Sequence, residues 1–312
     1  MKIDVKIMRR YGVIGMGAIG GYYGAKLAYS GQDVHFLSHS DYAYVREHGL
    51  KVESCDGSFH LSQIQVYQHA EDMPQCDVVI VGLKTTNNHL LSQLLPPLLH
   101  AHTAVVLIQN GIGVEADVEA MFPGLQLIAG LAFICSAKTR PGLVNHQCYG
   151  SINLGNYSCR DEALFQGILS DFVAAGIQTG EVPYLEARWR KAVWNMPFNG
   201  MTVALETQTD CLLKNPATRA LIREQMMEVI GAARACGVAA IDEAFADKMI
   251  ATTDAMTPYS PSMKLDYDFH RPMEIHYLYT RPIELAAEAG FQMPRLKMLE
   301  ACLKFKSVRS QP

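Results

Sequence analysis

The chain has 312 residues, enough for two domains of ordinary size. With 49% hydrophobic and 19% charged residues, its composition is that of a folded globular protein and excludes a disordered chain. A formal net charge of -4 with no basic block argues against a nucleic-acid partner, and no uninterrupted apolar run reaches the roughly 18 residues of a membrane helix. Charges scattered through the N-terminal MKIDVKIMRRYGVIGMG do not fit a signal peptide. The eight cysteines, at 55, 76, 135, 148, 159, 211, 236 and 302, form no C-x-x-C pair. That spacing argues against a structural zinc site and a compact disulfide framework, so we expect no metal, a reducing cytoplasm, and thiols that serve as small buried hydrophobes.

In chain order, Tyr11–Gly15 (YGVIG) reads as a buried strand and Ala18–Ser30 as a helix closed by Gly31. Asp33–Leu37 (DVHFL) is the next strand. Asp77–Leu83 (DVVIVGL) and Ala104–Ile108 (AVVLI) are continuous apolar runs of the parallel-sheet type, buried on both faces. Between them Asn87–Leu99 has a helical pattern that stops at the prolines of LLPPLL. Strands are expected at Leu127–Ile134, Gly142–His146, Ser151–Leu154 and Ile177–Val182, with a helix at Glu162–Ala175 that Gly176 caps. From Tyr184 onward the helical period dominates, with helices expected at Tyr184–Leu205, Pro216–Cys236, Ile241–Thr253 and Glu274–Ala289. The fold class is therefore α/β: an N-terminal doubly wound Rossmann sheet over 1–183, followed by an all-α domain over 184–312.

The stretch VIGMGAIGG supplies G-x-G-x-x-G between a strand and a helix, which is the setting of a dinucleotide-binding turn. Gly15 permits the tight turn, Gly17 lets a pyrophosphate approach the backbone, and Gly20 lets helix pack on strand. Met16, Ala18 and Ile19 complete this loop, whose helix N-terminus offers free N–H groups to phosphates. An acidic residue ending the second strand would select NAD through the ribose 2′-hydroxyl. Here Leu37 is followed by Ser38, His39 and Ser40, with no acid before Asp41, which favours NADP although no arginine is present. Two further polar clusters follow strands: Lys84 after DVVIVGL and Asn110-Gly111 after AVVLI. Both are expected to line the cofactor cleft.

WRKAVWNMPFNG, from Trp189 to Gly200, sets Lys191, Asn195 and Asn199 four residues apart on an otherwise apolar helix. Spaced about 6 Å apart, they make a ladder roughly 12 Å long on one helix face. Such a face either meets solvent or lines a cleft. Pro197 leaves the Val193 carbonyl without its helical donor, so a kink or distortion is expected near it.

Together these stretches resemble the ketopantoate reductase family. The resemblance rests on GMGAIGG, Leu83-Lys84, Gln109–Gly111, Trp189–Asn199, S-M-x-x-D at Ser262–Asp266 and R-x-x-E-I at Arg271–Ile275, in the family's order. It implies NADPH-dependent reduction of 2-dehydropantoate to pantoate, on the way to pantothenate and coenzyme A. It implies Lys191 as the catalytic lysine, with Glu274 near the cofactor and the reacting centre. It places Asn195, Asn199 and Ser262 on the substrate, and Lys84, Asn110 and Ala137 near the cofactor. The chain departs from the family at His39, where an arginine is frequent, and at Gly200, where a proline is usual. Thr209, Tyr259 and Tyr279 stand at family asparagine positions, and His276 at a family aspartate. These changes read as a bulkier substrate shell with fewer amides, which leaves three readings: the ketopantoate enzyme, a paralogue acting on another 2-oxo acid, or a silent NADP-binding protein. The tyrosine-rich C-terminal half is a candidate homodimer contact.

Overall fold

The computed structural model describes residues 8–309; residues 1–7, which include the start of the stretch read above against a signal peptide, and 310–312 lie outside it. The described residues up to Gln109 and Glu115–Tyr184 form one compact unit. Asn110–Val114 and the residues from Leu185 onward form the other.

The first unit is built on one ten-stranded sheet. Its strands are β1 (Arg10–Ile14), β2 (Asp33–Leu37), β3 (Leu50–Ser54), β4 (Phe59–Leu61), β5 (Gln65–Tyr67), β6 (Val78–Val81), β7 (Ala104–Leu107), β8 (Gln126–Arg140), β9 (Leu143–Asn156) and β10 (Thr179–Glu181). Along the sheet they run β4-β3-β9-β8-β7-β6-β1-β2-β5, with β10 paired to β9. The segment β5-β2-β1-β6-β7-β8 is parallel throughout and has the Rossmann order 3-2-1-4-5-6. VVIV of β6 and AVVL of β7 are buried at every position, as strands covered on both faces must be. The order reverses between β1 and β6, and ligands bind at the carboxyl ends of strands at such a switch point.

Helix α1 (Ala18–Tyr29) follows β1 and buries seven of its residues against the sheet. It ends as expected: Gly31 takes φ +91, and the Gln32 N–H reaches back to the Leu27 carbonyl at 3.1 Å. Helix α2 (Tyr42–His48) follows β2. The helix expected over Asn87–Leu99 is instead a 3-10 segment (Thr85–Leu90), one turn α3 (Leu91–Leu94) and a second 3-10 turn at Pro96–Leu98. Two successive prolines remove the N–H groups that a continuous helix needs. After α4 (Val114–Met121), the strands expected at Leu127–Ile134, Gly142–His146 and Ser151–Leu154 prove to be one long hairpin, β8 with β9. Register shifts along the hairpin, and positive φ at Tyr149 and Gly150, let so long a ribbon bend. Helix α5 (Glu162–Ala174) is capped by the Asp161 carboxylate and closed by Gly176 at φ +70. Strands β3, β4 and β5 were not anticipated, because LKVES, FHL and QVY are short and partly polar.

The second unit is helical among its described residues. It comprises α6 (Tyr184–Ala204, of which Tyr184 clusters with the first unit), α7 (Thr209–Lys214), α8 (Pro216–Ala235), α9 (Glu243–Asp254), α10 (Ser262–Asp268), α11 (Arg281–Glu288) and α12 (Pro294–Arg309). Its core gathers Trp189, Val193, Met196 and Phe198 of α6 with Met226, Val229 and Ile230 of α8 and Leu296, Leu299 and Leu303 of α12. The helix expected from Glu274 begins instead as a π-helical turn over His276–Thr280, and α11 follows. Pro282 has no N–H to continue a regular α ladder. Wide turns of this kind recur at functional sites. Among the described residues no helix is long and apolar enough to cross a membrane.

Candidate active site

The glycine loop shows three distinct demands on its backbone. Gly15 takes φ +92, and a Cβ there would meet the Leu83 side chain and backbone at 2.8 and 2.9 Å. A Cβ on Gly20 would sit 2.2 Å from the Gly15 carbonyl oxygen, so only glycine permits this approach of helix to strand. A Cβ on Gly17 would meet nothing within 4 Å, which leaves its backbone open to a ligand. Gly17 is the N-cap of α1, no side chain caps this helix, and its first turn carries no acid. Free N–H groups and the positive end of the helix dipole thus meet at one open place, which suits a pyrophosphate. Ala18 heads the helix, its carbonyl held by the Ser136 hydroxyl at 3.3 Å, one residue before Ala137 on β8. Lys84 lies half-buried at the carboxyl end of β6. The buried Gln109 braces that loop by donating to the Leu83 carbonyl at 2.9 Å and to Asn88 at 2.6 Å.

At the end of β2, Ser38 is buried while His39 and Ser40 are exposed. Asp41 is 3% exposed, and its carboxylate meets the Lys138 ammonium at 2.9 Å. The same ammonium lies 3.4 Å from the Ser40 hydroxyl. The positive charge missing from the sequence after β2 is therefore supplied from β8. Nothing near Asp41 in the sequence indicates this, since Asp41 heads α2 and meets the end of the β8–β9 hairpin, through Lys138 and the Gly142 N–H, only in the folded unit.

The second unit holds a pocket lined by Gly111, Ile112, Arg188, Lys191, Ala192, Asn195, Tyr277, Leu278 and Pro282, with about 240 Å³ of empty space. Asn110–Val114 reaches it because Gly111 lies against Tyr277, where any Cβ would fall 2.5 Å from that residue. The Ile112 N–H donates to the Tyr277 carbonyl at 3.0 Å. Lys191 is held down to about 7, by burial first and by the Arg188 guanidinium second, while Glu274 pulls the other way. Glu274 is 6% exposed and sits just before the π turn. Arg188 is 2% exposed, and its role was not foreseen. Its signal was present: Arg188, Lys191 and Asn195 are spaced i, i+3, i+7, on one helix face.

The three rungs of the ladder are not equivalent. Lys191 and Asn195 line the pocket, whereas Asn199 does not and is 2% exposed. The Asn199 amide donates to the Asn195 carbonyl at 3.0 Å and accepts from the Met263 N–H at 3.1 Å, so it ties α6 to the start of α10. Ser262, expected on the substrate, is exposed and lies outside the pocket lining. Helix α6 runs unbroken through Pro197, and the Tyr279 hydroxyl donates to the Met196 carbonyl at 2.5 Å.

Two departures from the family pattern prove to fit one another. A Cβ at Gly200 would fall 2.6 Å from the Tyr279 hydroxyl, which fills the space that glycine leaves open. Tyr279 is fully buried. Thr209 is 1% exposed and donates to the Tyr259 carbonyl at 3.3 Å. Gly200, Thr209 and Tyr279 are thus parts of the packing of this unit. The reading of Thr209 and Tyr279 as a bulkier substrate shell is corrected on that ground.

Residues 11–158 match the family model described as ketopantoate reductase PanE/ApbA, and 184–307 match that of its C-terminal domain. A 2-dehydropantoate 2-reductase of Nostoc sp. is 43% identical over 309 residues, which is 97% of each chain. The crystal structure of 2-dehydropantoate 2-reductase from Geobacter metallireducens superposes with a TM-score of 0.92 at 38% identity, covering 95% of this chain and 99% of that one. That from Methylococcus capsulatus gives 0.87 at 32% identity, covering 97% and 98%.

Proposed function

The chain belongs to the ketopantoate reductase family, and we propose that it reduces 2-dehydropantoate to pantoate with NADPH, a step toward pantothenate and coenzyme A. The observation that carries the reading is a lysine tuned to about 7 in a narrow pocket, in a chain that also builds an uncapped glycine-loop phosphate site. Reduced nicotinamide, when bound, supplies a hydride to the C2 carbonyl carbon. Lys191 stabilises the negative charge that develops on the carbonyl oxygen and donates the proton that completes the hydroxyl. A donor near 7 is partly charged at neutral pH and gives up its proton readily. Asn195 orients the substrate through its amide, and Glu274 holds or returns the proton at the Lys191 amine. Arg188 keeps the local field positive, which suits a carboxylate-bearing substrate and lowers the lysine at the same time. Gly15, Met16, Gly17, Ala18, Ile19 and Gly20 would hold the pyrophosphate, with Lys84 and Ala137 on the same unit, and Asn110 keeps the cofactor role that the family resemblance implies. Ser40, His39 and Lys138 are the groups that would meet a 2′-phosphate, which supports NADP over NAD.

The test is NADPH oxidation against 2-dehydropantoate, run beside other 2-oxo acids, NADH and Lys191→Ala. Efficient turnover of 2-dehydropantoate that collapses in the variant is the expected result. Faster turnover of another 2-oxo acid would replace the substrate assignment. NADPH binding with no turnover of any of these acids would refute the catalytic reading.

A further inference from the structure

Away from the glycine loop, the first unit carries a second cluster of ligand-type side chains. The turn between β3 and β4 presents Cys55 and Asp56, both exposed, and β9 presents His146, which is 1% exposed. One thiol sulfur, one carboxylate oxygen and one imidazole nitrogen lie within 4.8 Å of one another. We propose that Cys55, Asp56 and His146 form a binding site for a divalent transition-metal ion of the zinc type, with water in the fourth position.

The distances support this. Tetrahedral zinc with bonds of about 2.3 Å to sulfur and about 2.0 Å to nitrogen or oxygen places sulfur roughly 3.5 Å from each of the other donors. Here the Cys55 Sγ lies 3.8 Å from His146 Nδ1 and 3.6 Å from Asp56 Oδ1. The Asp56 carboxylate and the His146 imidazole are farther apart, within the 4.8 Å that bounds the cluster, so the exposed Asp56 side chain must swing toward the imidazole to close the site. The donor set also selects the ion, because a thiolate with an imidazole suits zinc-like metals, whereas calcium and magnesium take all-oxygen shells.

The backbone builds this arrangement in advance. Ser54 pairs with His146 in the parallel register of β3 and β9, and the Cys55 N–H donates to the His146 carbonyl at 3.1 Å. Gly57, at φ +115, closes the turn with its N–H on the Ser54 carbonyl at 3.2 Å. The imidazole rests against the Tyr22 ring, 4.5 Å between centroids. Its Nδ1 lies 2.8 Å from the Ser54 hydroxyl, whose oxygen also accepts from the Asp56 N–H at 3.1 Å. With that hydroxyl donating, the Nδ1 lone pair faces the cluster. Nε2 is buried and has no hydrogen-bond partner among the described residues. A metal arriving at Nδ1 displaces the Ser54 hydroxyl, takes the Cys55 sulfur as thiolate and releases its proton to solvent. The expectation of no metal rested on cysteine spacing, and these ligands come from strands distant in sequence, where spacing carries no signal.

The test uses the untagged full chain, stripped with a chelator and titrated with cobalt(II). One equivalent should produce tetrahedral d–d bands and a thiolate-to-cobalt charge-transfer band, both bleached by zinc(II). Cys55→Ser should remove the charge-transfer band, and Asp56→Asn should weaken binding by at least about tenfold. Both side chains are exposed, so thermal unfolding of the metal-free variants should match the wild type. Zinc(II) should also protect Cys55 from alkylation, read by peptide mass. Absence of the charge-transfer band in the wild type, or its survival in Cys55→Ser, would overturn the proposal; in the latter case another thiol holds the ion.

Discussion

Replacing Lys191 by methionine keeps most of the side chain's bulk in its pocket and removes the titrating group. The folded protein holds this amine down to about 7, against 10.5 in an unfolded chain. Between those values the unfolded chain binds one proton more than the folded one, so wild-type stability rises with pH across the window, by about 1.4 kcal/mol per unit. Below 7 both states carry the proton and the penalty is constant; above 10.5 neither does and the penalty is gone. The difference, 10.5 − 7 = 3.5 units, corresponds to a full penalty on the order of 5 kcal/mol. Both tryptophans, Trp189 and Trp194, lie in α6, so urea unfolding followed by tryptophan fluorescence reports on the second unit. Stability of Lys191→Met minus that of the wild type should fall steadily between pH 7.5 and 10. The pull of Glu274 on the ammonium is already contained in the value of about 7, and altered packing around the new side chain adds only an offset that cancels from this slope. A difference that is flat with pH would refute the assignment of a depressed amine. The same titration governs catalysis: in the reducing direction kcat/KM should drop about tenfold per pH unit above roughly 7, as the proton donor is lost.

The glycine loop separates binding from folding. Gly17→Glu projects into open space and should leave thermal unfolding nearly unchanged while abolishing NADPH binding, whereas Gly20→Ala drives a Cβ into the Gly15 carbonyl and should lower the unfolding temperature as well. Lys138→Ala removes the cation beside Ser40, so the Kd for NADPH should rise about tenfold with little change for NADH, and equal effects on both would dismiss Lys138 as the 2′-phosphate partner. Asn199→Ala leaves the Met263 N–H without its acceptor and should destabilise the second unit by about 1–3 kcal/mol in urea, while Asn195→Ala, in the pocket lining, should act on KM and kcat and spare stability.

The local features were legible because each follows from rules that act within a few residues. Apolar runs such as VVIV and AVVL predict strands buried on both faces, G-x-G-x-x-G predicts the turn into α1, and Gly31 and Gly176 mark helix ends. The i, i+4 spacing of Lys191 and Asn195 placed both on one face, and the structure puts both in one pocket. Tertiary structure decided what lies across that face and what each polar group bonds. Asn199 follows the same spacing, yet it serves the packing of α10, because the residue opposite it is a backbone N–H rather than a cavity. Tyr279 and Gly200 look like separate losses in the sequence and fit together only where a hydroxyl fills the room of a missing Cβ. His146 reaches Cys55 across neighbouring strands, β9 and β3, and Lys138 reaches Asp41 from the end of β8, 97 residues away in the chain. Such pairings depend on which strand neighbours which, a property of the whole sheet that no local window of sequence contains.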